Sequence, residues 1–147
     1  MLKVTPRAEP DRVVSVVASF GLHTFTKDRC RNDPTELHMG PANDPRSFCS
    51  IRHALSLNLP AIIRDAANGR VCFTHNGYFL LARNLPSIQK DYAAILKFEK
   101  GEVPGIDVRM FVISAHLRMN PFPKMDEINF VKLVTRIANG ETNIRPK

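Results

Sequence analysis

The chain has 147 residues, 44% of them hydrophobic, which is enough for one core and too few for two ordinary domains. Its 21 Lys and Arg against 14 Asp and Glu give a formal charge of +7, which favours polyanionic partners, yet no basic run forms an arm. Three cysteines without CxxC or CxxH spacing argue against a disulfide framework and a zinc site, and no stretch approaches the roughly 20 apolar residues needed to cross a bilayer.

The start, Met1-Leu2-Lys3-Val4-Thr5-Pro6-Arg7, lacks the basic-then-apolar pattern of a signal peptide. The expectation is one soluble, intracellular domain over 1–147, cytoplasmic or virion-associated and without a membrane partner. Arg12 to Phe20 is nearly continuous in Val and Ala and reads as a buried strand. Residues 27–47 collect Asp, Asn, Pro, Gly and Arg and read as a long surface loop with at most one short strand near Leu37. Pro60 restricts Leu59 to extended geometry.

Arg70 to Thr74 and Tyr78 to Ala82 are two apolar runs around Asn76-Gly77, a hairpin signal in which both turn residues take φ > 0. Ser87 then reads as the N-cap of an amphipathic helix with Ile88, Tyr92, Ile95 and Leu96 on one face, ending near Gly101. Asp107 reads as the N-cap of a second helix carrying Val108, Phe111, Val112 and Ala115, with a strand as the rival reading. Pro121-Phe122-Pro123 is an extended link whose Phe marks a protein contact or a lid over the core. The last helix spans about Met125 to Asn139, with Gly140 beyond its end as a C-cap. Strands followed by helices without alternation indicate an α+β fold, a mostly antiparallel sheet with amphipathic helices packed against it.

Cys49 and His75 are the candidate catalytic pair of a cysteine hydrolase, against the alternative that Cys49 and Cys72 are small buried apolar residues. The five histidines show no metal-ligand spacing, so neither a metal nor another cofactor is expected. Lys90, Lys97 and Lys100 on the first helix, and Lys132 and Arg136 on the last, are candidate phosphate contacts; the alternative is an ordinary solvated helix face.

The middle of the chain, Phe48 to Phe111, resembles the glutaminase domain of class II glutamine amidotransferases, members of the N-terminal-nucleophile hydrolase fold. The resemblance rests on Ile51-Arg52-His53-Ala54-Leu55-Ser56 with the loose echo Asn58-Leu59-Pro60-Ala61, on Gly69 to Gly77 ending in His75-Asn76-Gly77, and on Gly105-Ile106-Asp107-Val108-Arg109. It implies a reduced amidotransferase-like sandwich in which Arg52 and Asp107 hold the ligand and Asn76 and Gly77 form an oxyanion hole. The family's nucleophile is an N-terminal Cys, whereas this chain begins Met1-Leu2, and its Glu after the Asp is replaced by Arg109. The resulting expectation is a non-catalytic binding or structural subunit of a larger nucleoprotein or virion assembly. The alternatives are a basic nucleic-acid-binding protein, and a glutaminase or cysteine hydrolase with an unusual nucleophile.

Overall fold

The Val-rich run forms a long central strand, and most of the apolar stretches after it form strands as well. The computed structural model describes residues 1–146. In chain order the elements are β1 (Leu2–Val4), β2 (Val14–His23), β3 (Thr26–Asp28), β4 (His38–Met39), β5 (Arg46–Phe48), α1 (Ser50–Ser56), α2 (Leu59–Ala66), β6 (Arg70–Phe73) and β7 (Phe79–Leu85). They continue with β8 (Lys90–Lys100), β9 (Val108–Leu117), β10 (Glu127–Asn129) and α3 (Phe130–Ala138). The fold is α+β: a seven-stranded sheet of order β1-β2-β9-β8-β7-β6-β10 and a small sheet of order β3-β5-β4. Every pairing is antiparallel except β2 with β9.

One face of the large sheet carries the core. Tyr92, Ala94 and Leu96 of β8 are buried on it, with Val108, Met110 and Val112 of β9 and Val14 and Val16 of β2. Successive strand side chains alternate in direction, so these same-parity residues share a face. The helices cover it: α3 buries Phe130, Leu133, Val134 and Ile137, and α2 buries Leu59, Ile62, Ile63 and Ala66. Each large side chain so buried contributes about 1.5–3 kcal/mol of transfer free energy. A row of rings, Phe73, Phe79, Phe98 and Phe130, crosses the core at centroid spacings of 5.3, 5.5 and 6.0 Å.

The last helix starts later than its sequence pattern indicates, because Glu127–Asn129 first pairs with β6. Asn129 then caps it, accepting a hydrogen bond from the Lys132 amide at 3.1 Å. At the other end Gly140, at φ +84°, donates to Ile137 O at 2.8 Å while the Glu141 amide reaches Arg136 O at 3.0 Å, a Schellman motif.

The helix expected from Ser87 to Gly101 is instead β8, hydrogen-bonded along its length to β7 and to β9. Ser87 lies in the turn before it, where Gln89 takes φ +50°. The region after Asp107 follows the strand alternative. Leu59 is helical, not extended, since Pro60 sits in the first turn of α2, where a missing N–H breaks no helical bond. The β6–β7 turn also differs from the two-residue form: the Thr74 amide pairs with Tyr78 O at 3.0 Å, enclosing three residues, and only Gly77, at φ +73°, is left-handed.

Residues 27–47 contain β4 and parts of β3 and β5, so more strand forms there than the single short one expected. The organiser is Arg46, only 4% exposed. Its guanidinium donates to Thr26 Oγ1 and Thr26 O, each at 3.1 Å, and pairs with the Asp28 carboxylate. A buried cation needs that saturation.

Candidate functional site

The strand order sets an unusual demand on residues 118–126. β9 and β10 run parallel but lie four places apart in the sheet, so this connection returns along the sheet while crossing β8, β7 and β6. The lateral step alone is about 19 Å at ~4.8 Å per strand, and nine residues reach only about 30 Å when extended. The segment is therefore stretched, and Pro121 and Pro123 beside Phe122 favour that geometry. It is anchored at both ends: the Arg118 amide donates to Asp91 O at 2.8 Å, and the Phe73 amide to Asp126 O at 2.8 Å.

Between this strap, the β6–β7 turn and residues 143–146 lies a cleft of about 830 Å³. Phe73 and Phe79, the end of the aromatic row, form part of its wall. Leu80, on the sheet face opposite the helices, forms another part and is itself buried. Among the described residues four basic side chains line the cleft, His75, Arg118, Lys124 and Arg145, against one carboxylate, Asp126. The Arg118 guanidinium lies 4.2 Å from the centroid of the Phe122 ring, a cation–π contact. Its Nε–H is buried and has no acceptor within the described residues.

The cleft thus combines the Arg118 guanidinium with aromatic rings and, among the described residues, an excess of positive charge. Such a site can hold an anionic group by charge-assisted hydrogen bonds and a planar group by stacking. His116 on β9 is held below the ordinary histidine range by burial first, and then by the cations of Arg52 and Arg118.

The residues singled out from the sequence scatter. His75 and Gly77 line the cleft, whereas Asn76 is exposed in the turn beside it. Cys49 is at the start of α1, its amide bonded to Phe25 O at 3.1 Å, and does not line the cleft that holds His75. Cys72 faces Glu127 across the β6–β10 pair, and burial, followed by that carboxylate, pushes its thiol up. Among the described residues no three His, Cys, Asp or Glu side chains form a group able to hold a metal.

Arg52 donates to Thr26 O at 2.6 Å and Ala115 O at 3.1 Å, joining α1 to β3 and β9. Asp107 precedes β9 instead of capping a helix, and its carboxylate accepts the Ser15 amide at 2.7 Å. Arg52 thus reaches one end of β9 and Asp107 the other, about 26 Å apart at ~3.3 Å per residue. One glutamine cannot bridge them.

Lys97 is ion-paired with Glu99 at 2.7 Å and Arg136 with Glu141 at 2.6 Å. Lys90 and Lys100 stand at opposite ends of one strand, and Lys132 is exposed on α3. These five do not form a single patch. Arg118, Lys124 and Arg145 are distant in sequence from the hairpin, so no local pattern joins them to it; the Pro-Phe-Pro link is the sequence signal of the strap.

Among the described residues no helix is long and apolar enough to cross a membrane. Comparison with curated proteins and with solved structures finds no match. A match to the YjaZ family covers residues 2–138, including all three landmarks of the amidotransferase resemblance, and overturns that resemblance. Running from the first residue of β1 to the last of α3, this match makes the chain a member of the YjaZ family.

Proposed function

We propose that this protein works by binding, as a basic component of a nucleoprotein assembly, and that single-stranded nucleic acid is the partner of the cleft under the 118–126 strap. The observation that carries the reading is the cluster of His75, Arg118, Lys124 and Arg145 around Phe73 and Phe122. Phosphates meet the cations, and a base stacks on the face of a half-buried ring, Phe73 or Phe122, each stack contributing about 1–3 kcal/mol. The formal charge of +7 adds long-range attraction. Single strands are favoured over duplex because the aromatic groups lie inside a cleft, where only unpaired bases can enter.

The test is fluorescence anisotropy of a labelled single-stranded oligonucleotide of about 12 nucleotides, titrated at several salt concentrations. Binding should weaken steeply with salt, with a log–log slope falling by about 0.7 for each phosphate contact removed. Arg118→Ala and Lys124→Ala should each weaken it several-fold while Lys132→Ala, on α3, does not. Salt-independent binding, or equal affinity in all three variants, overturns the proposal.

A further inference from the structure

A second cavity, of about 450 Å³, opens where the end of β2, the small sheet, α1 and the start of α2 meet. Its wall is aromatic, built from Phe20, Phe25 and Phe48, with Met39, Leu57 and Leu59 completing the apolar surface. That volume lies within the range of small-molecule sites, roughly 300–1,000 Å³, which pair an apolar wall with very few polar groups. Three polar side chains reach this one: Thr24, His53 and Ser56. Two are already committed, Thr24 Oγ1 donating to Gly21 O and Ser56 Oγ to His53 O, both at 2.7 Å.

His53 differs. Its ring packs against Phe48 at a centroid distance of 5.4 Å and edge-on to Phe25 at 6.4 Å. These contacts restrict the imidazole, and the histidine-ring hydrogen bonds among the described residues belong to His23 and His38, not to His53. His53 is exposed at the rim, so its imidazole is open both to solvent and to a polar group on a ligand seated against the apolar wall. Among the described residues no carboxylate side chain lines the cavity, so an acidic group meets no like charge there, and the cationic chain adds long-range attraction for it.

We propose that this cavity binds a small aromatic molecule bearing one acidic group, its rings among Phe20, Phe25 and Phe48 and its acid hydrogen-bonded to His53. The site is separate from the strap cleft and does not depend on the nucleic-acid reading.

The test uses the intact protein and two probes, anilinonaphthalene sulfonate and the neutral N-phenylnaphthylamine, followed by fluorescence at pH 7. The sulfonate should bind saturably at one site, with near-UV circular dichroism unchanged, which separates a native cavity from a loosened core. His53→Leu should weaken the sulfonate about tenfold and leave the neutral probe within about twofold. Ser56→Trp, which fills the cavity from α1, should abolish both; if it fails to fold, the His53→Leu comparison decides alone. Sulfonate affinity unchanged in His53→Leu, or displacement of the sulfonate by the oligonucleotide, overturns the proposal and in the second case places the probe in the strap cleft. Equal losses of both probes in His53→Leu overturn the assignment of the acid to the imidazole.

Discussion

Asp107 and Ser15 exchange two hydrogen bonds: the Ser15 amide donates to Asp107 Oδ2 at 2.7 Å, and the Asp107 amide donates to Ser15 O at 3.0 Å. This clasp stands at the start of the parallel β2–β9 ladder, whose first pair is Val16 with Val108. Parallel pairs cannot be set by a tight turn, so their register needs another determinant. Asp107→Ala should lower stability by about 1 kcal/mol, the scale of one hydrogen bond to a side chain. Asp107→Asn, which keeps an acceptor, should lose less than half of that. Urea denaturation of the three proteins side by side measures both differences, and an Asp107→Asn variant as unstable as Asp107→Ala would remove the clasp from the account.

Tyr92 is 1% exposed near the start of β8, and its hydroxyl has no partner among the described residues. Burial pushes the phenol up to about 12, with the Arg52 cation opposing weakly. A buried hydroxyl without a partner retains its desolvation cost, about 1–3 kcal/mol, so deleting the oxygen while keeping the ring removes a penalty. Tyr92→Phe should leave stability unchanged or raise it by about 1 kcal/mol, read as a higher urea midpoint at constant slope. A loss of 1 kcal/mol or more would mean that the hydroxyl holds an ordered water.

Legibility followed the size of the pattern. The Val run of β2 and the stripe of α3 extend over enough residues for one period to dominate, and Gly140 marks the end of the helix, whereas its start at Asn129 is set by the pairing of Glu127–Asn129 with β6. Across residues 88–98 two periods coexist: Ile88, Tyr92, Ile95 and Leu96 suit a helix, while Tyr92, Ala94, Leu96 and Phe98 alternate as in a strand. Hydrogen bonding to β7 and β9 selects the second, a choice made by partners distant in sequence. The small sheet has strands of two and three residues, too short to carry any period. At the candidate site His75 and Gly77 stood out because a turn is local, whereas Arg118 and Arg145 join them only through the β9–β10 crossing.

Gly101 ends β8 and donates its amide to Asp107 O at 2.8 Å, closing the 101–107 loop. A methyl group added there would run into the Ile106 carbonyl, and that obstacle is backbone, which cannot rotate aside. Relief would require moving Asp107, and with it the clasp to Ser15. Gly101→Ala should therefore destabilise by more than about 2 kcal/mol, far beyond the change expected at an exposed loop position. Gly105→Ala makes the comparison: nothing lies within 4 Å of its added carbon, and its cost, set only by φ +83°, should be about 1 kcal/mol. Equal melting temperatures for the two variants would contradict the close approach at residue 106.

His116 is half-buried on β9, and burial lowers its pKa below 6.5, helped by Arg52 and then Arg118. In the unfolded chain the same imidazole takes up its proton near 6.5. Between 6.5 and the lower folded value, the unfolded state binds more protons, so stability is complete above pH 6.5 and declines as pH falls through the folded value. The structural cost has a direction: a third cation beside Arg52 and Arg118 opposes the bonds Arg52 makes to Thr26 O and Ala115 O. Thermal unfolding of the wild-type protein and of His116→Gln should therefore diverge as pH is lowered from 7.5 to 5. The variant should lose less over that interval, because glutamine fills a similar volume and binds no proton. Parallel curves for the two proteins would mean that the imidazolium is solvated as readily in the folded chain as in the unfolded one, and that the guanidiniums do not act on it.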